Sequence, residues 1–197
     1  MGGKKRMDIR DNKIILYANQ SDTVLDVIEK DGVCYSKKKY VEKKYEESAQ
    51  VFTTAYSWFV KEAEKYSKKP DEAEYPYWAF ADMYNLDMSG GGNFLKLEVP
   101  LDEVVLFDVR DWNRILCMKY VGKNENEENE FKELLKNYGV METKVMFTTF
   151  YPDLKRQIEM SWSNLFRHND SIKSGNDTTT SGVQAGLWRI KKEWIIK

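Results

Sequence analysis

The sequence predicts a single α+β domain in which small mixed or antiparallel sheets are flanked by amphipathic helices. Short apolar runs such as 14–17 and 104–107 are typical of buried strands. Longer segments such as 48–66 carry apolar residues every three or four positions, which predicts helices that cover the strands. Strands and helices do not alternate in a regular β-α-β order, which favours α+β over a doubly wound sheet. A length of 197 residues fits one core.

The ordered domain is predicted to span residues 13–197, after a disordered or appended N-terminal segment of residues 1–12. A strand over 13–19 leads into Gln20, and Ser21 is placed to cap a helix that Gly32 ends. A side-chain amide at the end of a buried strand can point into a cleft at the sheet edge. It can also bond the backbone of the turn, and the residues alone leave both roles open for Gln20.

Further strands are predicted over 94–99 and 104–107, and a helix is predicted over 125–137. Asp108 stands where the second of these strands turns into another helix. Asp108 and Asp111 have the spacing of a capping box, and this interpretation is favoured over a catalytic pair because no partner that would shift their pKa is visible.

Residues 168–182 have the composition of a mobile loop, with Ile172 as the single aliphatic residue. A polar loop of this length inside a domain is typically functional or disordered. It leads into a terminal strand or bent strand pair over 183–196. Strict alternation places Gln184, Gly186 and Trp188 on one face of that strand, where the glycine would leave room for a ligand or another backbone.

Aromatic residues make up 14% of the chain, which favours either a ligand groove or a core of large flat side chains. Trp58, Trp78 and Trp188 are candidates to wall a groove that stacks a planar ring, whereas Trp112 lies on an apolar stripe and fits a core. Lysines and tyrosines alternate over 35–47. That segment is either a solvated connector or, as the alternative, a surface for nucleic acid.

The net charge and the cysteine content limit the kinds of partner that the sequence predicts. The formal net charge is -1, so no global field attracts nucleic acid or an anionic membrane. Cys34, Cys117 and His168 lack the spacing of a zinc site, and no metal is expected. No segment approaches the roughly 20 apolar residues of a membrane span. These features predict a cytoplasmic protein without a membrane partner; the oligomeric state is left open.

Several short segments carry a family resemblance: Leu16–Gln20, Ala55–Trp58, Tyr75–Phe80, Val99–Asp102, Leu106–Asp108 with Asp111–Trp112, and Gln184–Trp188 with Glu193–Trp194. Together they resemble a family of short bacterial and phage proteins that is catalogued as a domain of unknown function. The resemblance spans most of the chain and implies no activity.

The order of a first strand, a capped helix, an aromatic helix, a polar loop and a late strand is also similar to ADP-ribosyltransferases. That resemblance implies a groove between two small sheets that holds NAD as the cofactor. It implies that Gln20 orients the nicotinamide ribose and that residues 168–182 recognise the substrate. The other implied cofactor-binding residues are Tyr17, Tyr56, which would stack on nicotinamide, Trp58 and Trp78. Gln184 or Glu193 would supply the catalytic polar group of the late strand.

The sequence departs from the transferase pattern in two places. Its first strand has no Arg or His, and no Glu follows two residues after Gln184. Two functions are therefore predicted: an NAD-binding, ADP-ribosyltransferase-like protein, or a non-enzymatic protein that binds a host protein or a nucleotide through an aromatic groove. Both require the amides of Gln20 and Gln184 to reach one aromatic-walled cavity.

Overall fold

The computed structural model describes residues 7–39, 49–177 and 179–196. Its first half contains β1 Ile9–Arg10, β2 Lys13–Gln20, α1 Asp22–Asp31, β3 Val33–Tyr35, α2 Ala49–Ala63, β4 Tyr77–Phe80, β5 Asn93–Pro100 and β6 Val104–Asp108. Its second half contains α3 Val109–Leu116, α4 Glu125–Tyr138, α5 Glu142–Met146, α6 Pro152–Ser161, α7 Asn169–Lys173, β7 Val183–Leu187, β8 Arg189–Lys191 and β9 Ile195–Ile196. Short 3-10 helices include Trp162–His168 and Lys192–Trp194. The α+β class is confirmed.

The strands form two antiparallel sheets. The main sheet has seven strands in the order β6-β7-β4-β2-β5-β9, with β1 paired to β2. β3 and β8 form a separate two-stranded sheet. The first long strand, β2, and the late strand, β7, both border β4, so one strand separates them.

The main sheet is packed on both faces, which we name after the helices that cover them. On the α1 face, Leu16, Ala79 and Ala185 are fully buried in one cluster with Ile28 of α1. On the α2 face, Phe107 and Trp188 belong to a second cluster with Phe59 of α2. The expected alternation in β7 is therefore confirmed, because successive side chains of a strand point to opposite faces.

Gly186 of β7 is explained by close packing of α2 on the sheet. A Cβ atom at this position would lie 2.7 Å from the Phe59 ring, which is closer than real contacts allow. Phe59 is fully buried and its ring centroid lies 5.0 Å from that of Trp78 and 5.4 Å from that of Trp112. The space predicted for a ligand or another backbone is filled by this phenylalanine.

Among the described residues, helices cover only part of the α2 face. Over β6 and β7, Val105, Phe107 and Trp188 are buried. Over β2 and β5, Tyr17 is half-buried and Phe94 is 47% exposed. We call the β2–β5 part of this face, among the residues described, the open half.

The domain starts earlier than predicted. Ile9 and Arg10 pair with β2, and the connecting residues Asp11 and Asn12 have φ values of 48° and 60°. Asp and Asn tolerate this left-handed region, so a tight hairpin forms. Residues 9–12 therefore belong to the fold, whereas residues 1–6, and 40–48 of the lysine-tyrosine segment, lie outside the described residues. No described helix has the length and apolarity that a membrane span requires.

The segment predicted as a loop over 168–182 is partly helical, since α7 occupies Asn169–Lys173. Asn169 is 2% exposed, and its Oδ1 accepts a hydrogen bond from the backbone N–H of Leu106 at 3.0 Å. Leu106 lies in the edge strand β6. The side chain thus satisfies a donor that an edge strand would otherwise leave unpaired.

Candidate functional site

Three side chains form a row across adjacent strands on the α2 face. Tyr17 of β2 lies opposite Phe80 of β4, and Phe80 lies opposite Gln184 of β7. Directly opposed residues of antiparallel strands share a face and are neighbours, so the three side chains are adjacent. The row crosses from the covered part of the face into the open half.

Gln184 is the polar member of the row. The residue is 5% exposed, its side chain makes no hydrogen bond among the described residues, and its amide atoms keep some contact with solvent. Such a group is a candidate for contact with a ligand that supplies the missing donor and acceptor.

A polar cleft lies beside this row. β1 and β4 follow each other along one edge of β2, and β5 occupies the other edge. The gap beside β1 and the end of β4 is a cleft of about 1030 Å³, and residues 174–177 and 180–183 form one of its walls. The other lining residues are Met7, Asp8, Ile9, Arg10, Ile15, Tyr17, Ala81, Asp82 and Asn85.

Asp177 organises the loop that forms this wall. Its Oδ1 accepts from the Oγ1 of Thr179 at 3.0 Å, and its Oδ2 accepts from the backbone N–H of Thr180 at 3.2 Å. Its side chain is 3% exposed. Burial acts to raise the pKa of Asp177, but the hydrogen bonds from Thr180 and Thr179 outweigh it, and the pKa is lowered. The ionised carboxylate is therefore engaged in hydrogen bonds within the loop.

Asp108 fixes the same loop to the sheet. Its carboxylate accepts from the backbone N–H of Ser181 at 2.9 Å and from the Ser181 Oγ at 2.7 Å. It also caps α3, accepting from the Arg110 backbone N–H at 2.8 Å, as predicted. Burial acts to raise the pKa of Asp108, yet the hydrogen bonds from Arg110 and Ser181 prevail and lower it. Asp108 therefore ties α3 and the cleft wall together.

Asp111 has a different environment from Asp108 and does not complete the capping box. Its Oδ2 lies 2.9 Å from the Nη2 of Arg167, in an ion pair that brings the 3-10 helix against α3. Burial raises the pKa of Asp111, and the Arg167 guanidinium opposes that rise only in part. The Nε–H of Arg167 in turn donates to the Nε2 of His168 at 3.0 Å.

The structure separates Gln20 from Gln184. Tyr17 shares a face with Gln184, and Gln20 is three residues further along the same strand, so its side chain points to the α1 face. The two amides therefore lie on opposite faces of the main sheet. The prediction of one cavity shared by Gln20 and Gln184 is wrong, although both strands border β4.

The structure also corrects the prediction that these aromatic side chains wall one groove. Tyr56 is 4% exposed, and its hydroxyl accepts a hydrogen bond from the Nε1 of Trp78 at 2.8 Å. Trp58 instead packs against Trp162 and Phe166, with ring centroids 5.4 Å and 5.8 Å away. These side chains belong to, or pack against, the helical core, and they do not form one wall. Among the predicted cofactor-binding residues, Tyr17 lines the cleft.

Glu193 lies away from β7. It follows β8 in a 3-10 helix, its side chain is 72% exposed, and it lies 3.6 Å from Lys191. It lines a separate, shallow cleft of about 670 Å³ together with Asp31, Gly32, Val33, Tyr35, Arg189, Lys191 and Lys192. Within the described ranges, no group of three or more His, Cys, Asp or Glu side chains is placed to hold a metal ion.

Sequence reasoning did not identify Asp177, and it assigned Asp108 only to the cap of a helix. Asp177 precedes a run of threonines, a pattern in which a short acidic side chain bonds the backbone two or three residues later. That signal was present in the sequence. The link from Asp108 to Ser181 joins residues 73 positions apart, and no local pattern announces it.

These features define an α+β protein with one antiparallel main sheet, a helical layer over part of one face, and a polar cleft at the sheet edge. The chain belongs to the family described as Domain of unknown function (DUF3841), whose pattern matches residues 15–196. No curated protein and no solved structure matches the chain.

Proposed function

We propose that this chain binds NAD, or a nucleotide of the same kind, where β2, β4 and β7 meet the polar cleft, as an ADP-ribosyltransferase-like protein. One observation carries the proposal: the side chain of Gln184 makes no hydrogen bond among the described residues and lies in a row with Tyr17, which lines the cleft. The carboxamide of nicotinamide carries one acceptor and two donors. It is therefore complementary to a glutamine amide.

The size and lining of the cleft support a nucleotide ligand. Its volume of about 1030 Å³ lies at the upper end of small-molecule sites. The wall over 174–177 and 180–183 is polar. Its hydroxyl groups at Ser174, Thr180 and Ser181 already donate within the protein, so they offer a ligand their oxygen lone pairs, which suit ribose hydroxyl groups. Because Asp177 and Asp108 anchor this wall, it is organised before a ligand arrives, which lowers the entropic cost of binding.

Non-enzymatic binding is the second candidate, and the composition of β7 favours it. On the α2 face Gln184 is followed by Gly186 and then Trp188, so this late strand places no carboxylate on that face. A carboxylate would be needed to stabilise the positive charge of an oxocarbenium-like ribose. Asp177 and Asp108 are buried acids nearby, but both already accept several hydrogen bonds from the loop.

The test is a titration of the purified protein with NAD, followed by thermal shift and by release of nicotinamide. We expect a rise in Tm that increases with NAD concentration, because a ligand that binds the folded state stabilises it. Gln184→Leu should abolish this rise, and its own Tm should stay close to that of the unmodified chain, because the replaced side chain makes no hydrogen bond among the described residues. Gln20→Leu is the matched control, on the same sheet but on the opposite face, and should keep the NAD response.

The outcomes separate the candidates. A Gln184-dependent shift together with nicotinamide release supports a transferase or glycohydrolase, whereas the same shift without release supports a binding protein. If saturating NAD leaves the Tm of the unmodified chain unchanged, the NAD proposal is rejected for both.

A further inference from the structure

The open half of the α2 face carries an exposed aromatic platform. Phe94 of β5 is 47% exposed, and its ring stacks on Tyr17 with centroids 5.7 Å apart and planes inclined by 30°. Tyr17 lines the polar cleft, so the platform continues the cleft along the sheet. An exposed phenylalanine held by a neighbouring ring presents a fixed flat surface, on which a planar ring can stack.

A lysine without a partner stands next to this platform. Lys96 lies directly opposite Tyr17 in the register of β2 and β5, and therefore on the same face. No ion pair or hydrogen bond of its side chain is found among the described residues. Lys13 on the same face differs, because its Nζ pairs with Glu98 at 2.8 Å. Lys96 thus supplies an uncompensated positive charge at a distance of one strand from the cleft.

We propose that the open half binds the base and phosphate end of the nucleotide, with the base stacked on Phe94 and a phosphate oxygen contacting Lys96. The inference rests on the proposed function and adds the ligand class, an adenosine diphosphate group attached to a second moiety. An aromatic surface beside a free cation suits a base joined to a phosphate, because it offers stacking and charge complementarity together. The nicotinamide end then lies at Gln184, on the other side of Tyr17.

The experiment compares two halves of the dinucleotide. Binding of ADP-ribose and of nicotinamide mononucleotide is measured by calorimetry for the unmodified chain and for Phe94→Ala and Lys96→Gln. Lys13→Gln is the matched control, since it makes the same charge change on the same face at a lysine that already has a partner. Circular dichroism checks that each variant is folded.

We expect each of the two platform variants to weaken ADP-ribose binding by about tenfold, the size of one lost stacking or charge contact. Binding of nicotinamide mononucleotide should change by less than about twofold, and Lys13→Gln should change neither. If the unmodified chain binds ADP-ribose and both variants keep that affinity, the placement of the base is wrong while the proposed function stands. Equal loss of both ligands also overturns the placement. A chain that binds neither ligand rejects the proposed function itself.

Discussion

The two halves of the α2 face are built from the same kinds of side chain and end in different states. Over β6, β7 and β4, the aromatic rings of Phe59, Trp78 and Trp112 pack against one another under a layer of helices. Over β2 and β5, Tyr17 and Phe94 also stack, but Phe94 is 47% exposed. A high aromatic content therefore does not identify a groove in this chain. The candidate site lies instead at the edge of the helical layer.

The polar groups follow the same division. Elsewhere at the sheet, the buried side chains of Asp108 and Asn169 accept hydrogen bonds from backbone N–H groups. At the boundary, the side chain of Gln184 makes no hydrogen bond among the described residues, and in the open half Lys96 is likewise unpaired among them. A ligand at this boundary would therefore meet two side chains, Gln184 and Lys96, that have no partner among the described residues.

The largest expected effect on stability comes from a substitution in the covered half of the α2 face. Phe59→Ala removes the ring that fills the space above Gly186 and contacts Trp78 and Trp112. The expected loss is about 3–5 kcal/mol in the free energy of unfolding, because a large cavity is left in a core that cannot collapse fully. Urea denaturation measures it. A loss below about 1 kcal/mol would mean that the helical layer does not depend on this contact.

A smaller effect is expected at the cleft wall, where Asp108→Asn should cost about 1–3 kcal/mol through weakened hydrogen bonds to Ser181 and Arg110. The pKa of Asp108 is lowered in the folded protein, so its stabilisation is present above the pKa of the unfolded chain, about 3.9, and is lost as pH falls through the folded value. The variant should therefore lose stability at neutral pH and show a shallower decline in acid. Denaturation curves from pH 7 down to the acid transition measure this.

Asp111 provides the control for Asp108, because its pKa is shifted in the opposite direction. Burial raises the pKa of Asp111, so the folded protein holds that proton to a higher pH than the unfolded chain. Ionisation of Asp111 then reduces stability as pH rises from the unfolded pKa through the folded one. Asp111→Asn should leave stability at neutral pH unchanged or slightly higher. Equal losses in the two variants would show that the wall needs both charges and would contradict the division of roles.

Local patterns in the sequence predicted most of the fold. The apolar run of β2, the stop at Gly32 in a left-handed conformation and the cap at Asp108 depend on neighbours within a few residues, and all three were predicted correctly. Alternation also assigned the two faces of β7 correctly. Within one strand, the relation between residue number and face is fixed by the pleat.

The relation between strands could not be predicted in this way. Gln20 and Gln184 were both placed correctly near strand ends, yet a shift of one residue in pairing exchanges the faces, and the pairing of β2, β4 and β7 is decided by contacts far apart in sequence. The same limit applies to Tyr56, whose burial depends on Trp78 and Trp112 from other elements. Helix α7 was missed because Asn169, Asp170 and Ser171 are weak helix formers, and packing of Asn169 and Ile172 overrides that preference.

The smallest expected effect on stability comes from a substitution in the open half. Phe94→Ala removes a ring as large as that of Phe59, but its partner is Tyr17 and much of its surface already faces water. Little apolar area leaves the interior, so the loss in the free energy of unfolding should be below about 1 kcal/mol. The measurement is the same urea denaturation that is applied to Phe59→Ala. If the two losses were similar, the open half would be as tightly packed as the covered half, and Phe94 would be a structural residue with no surface to offer a ligand.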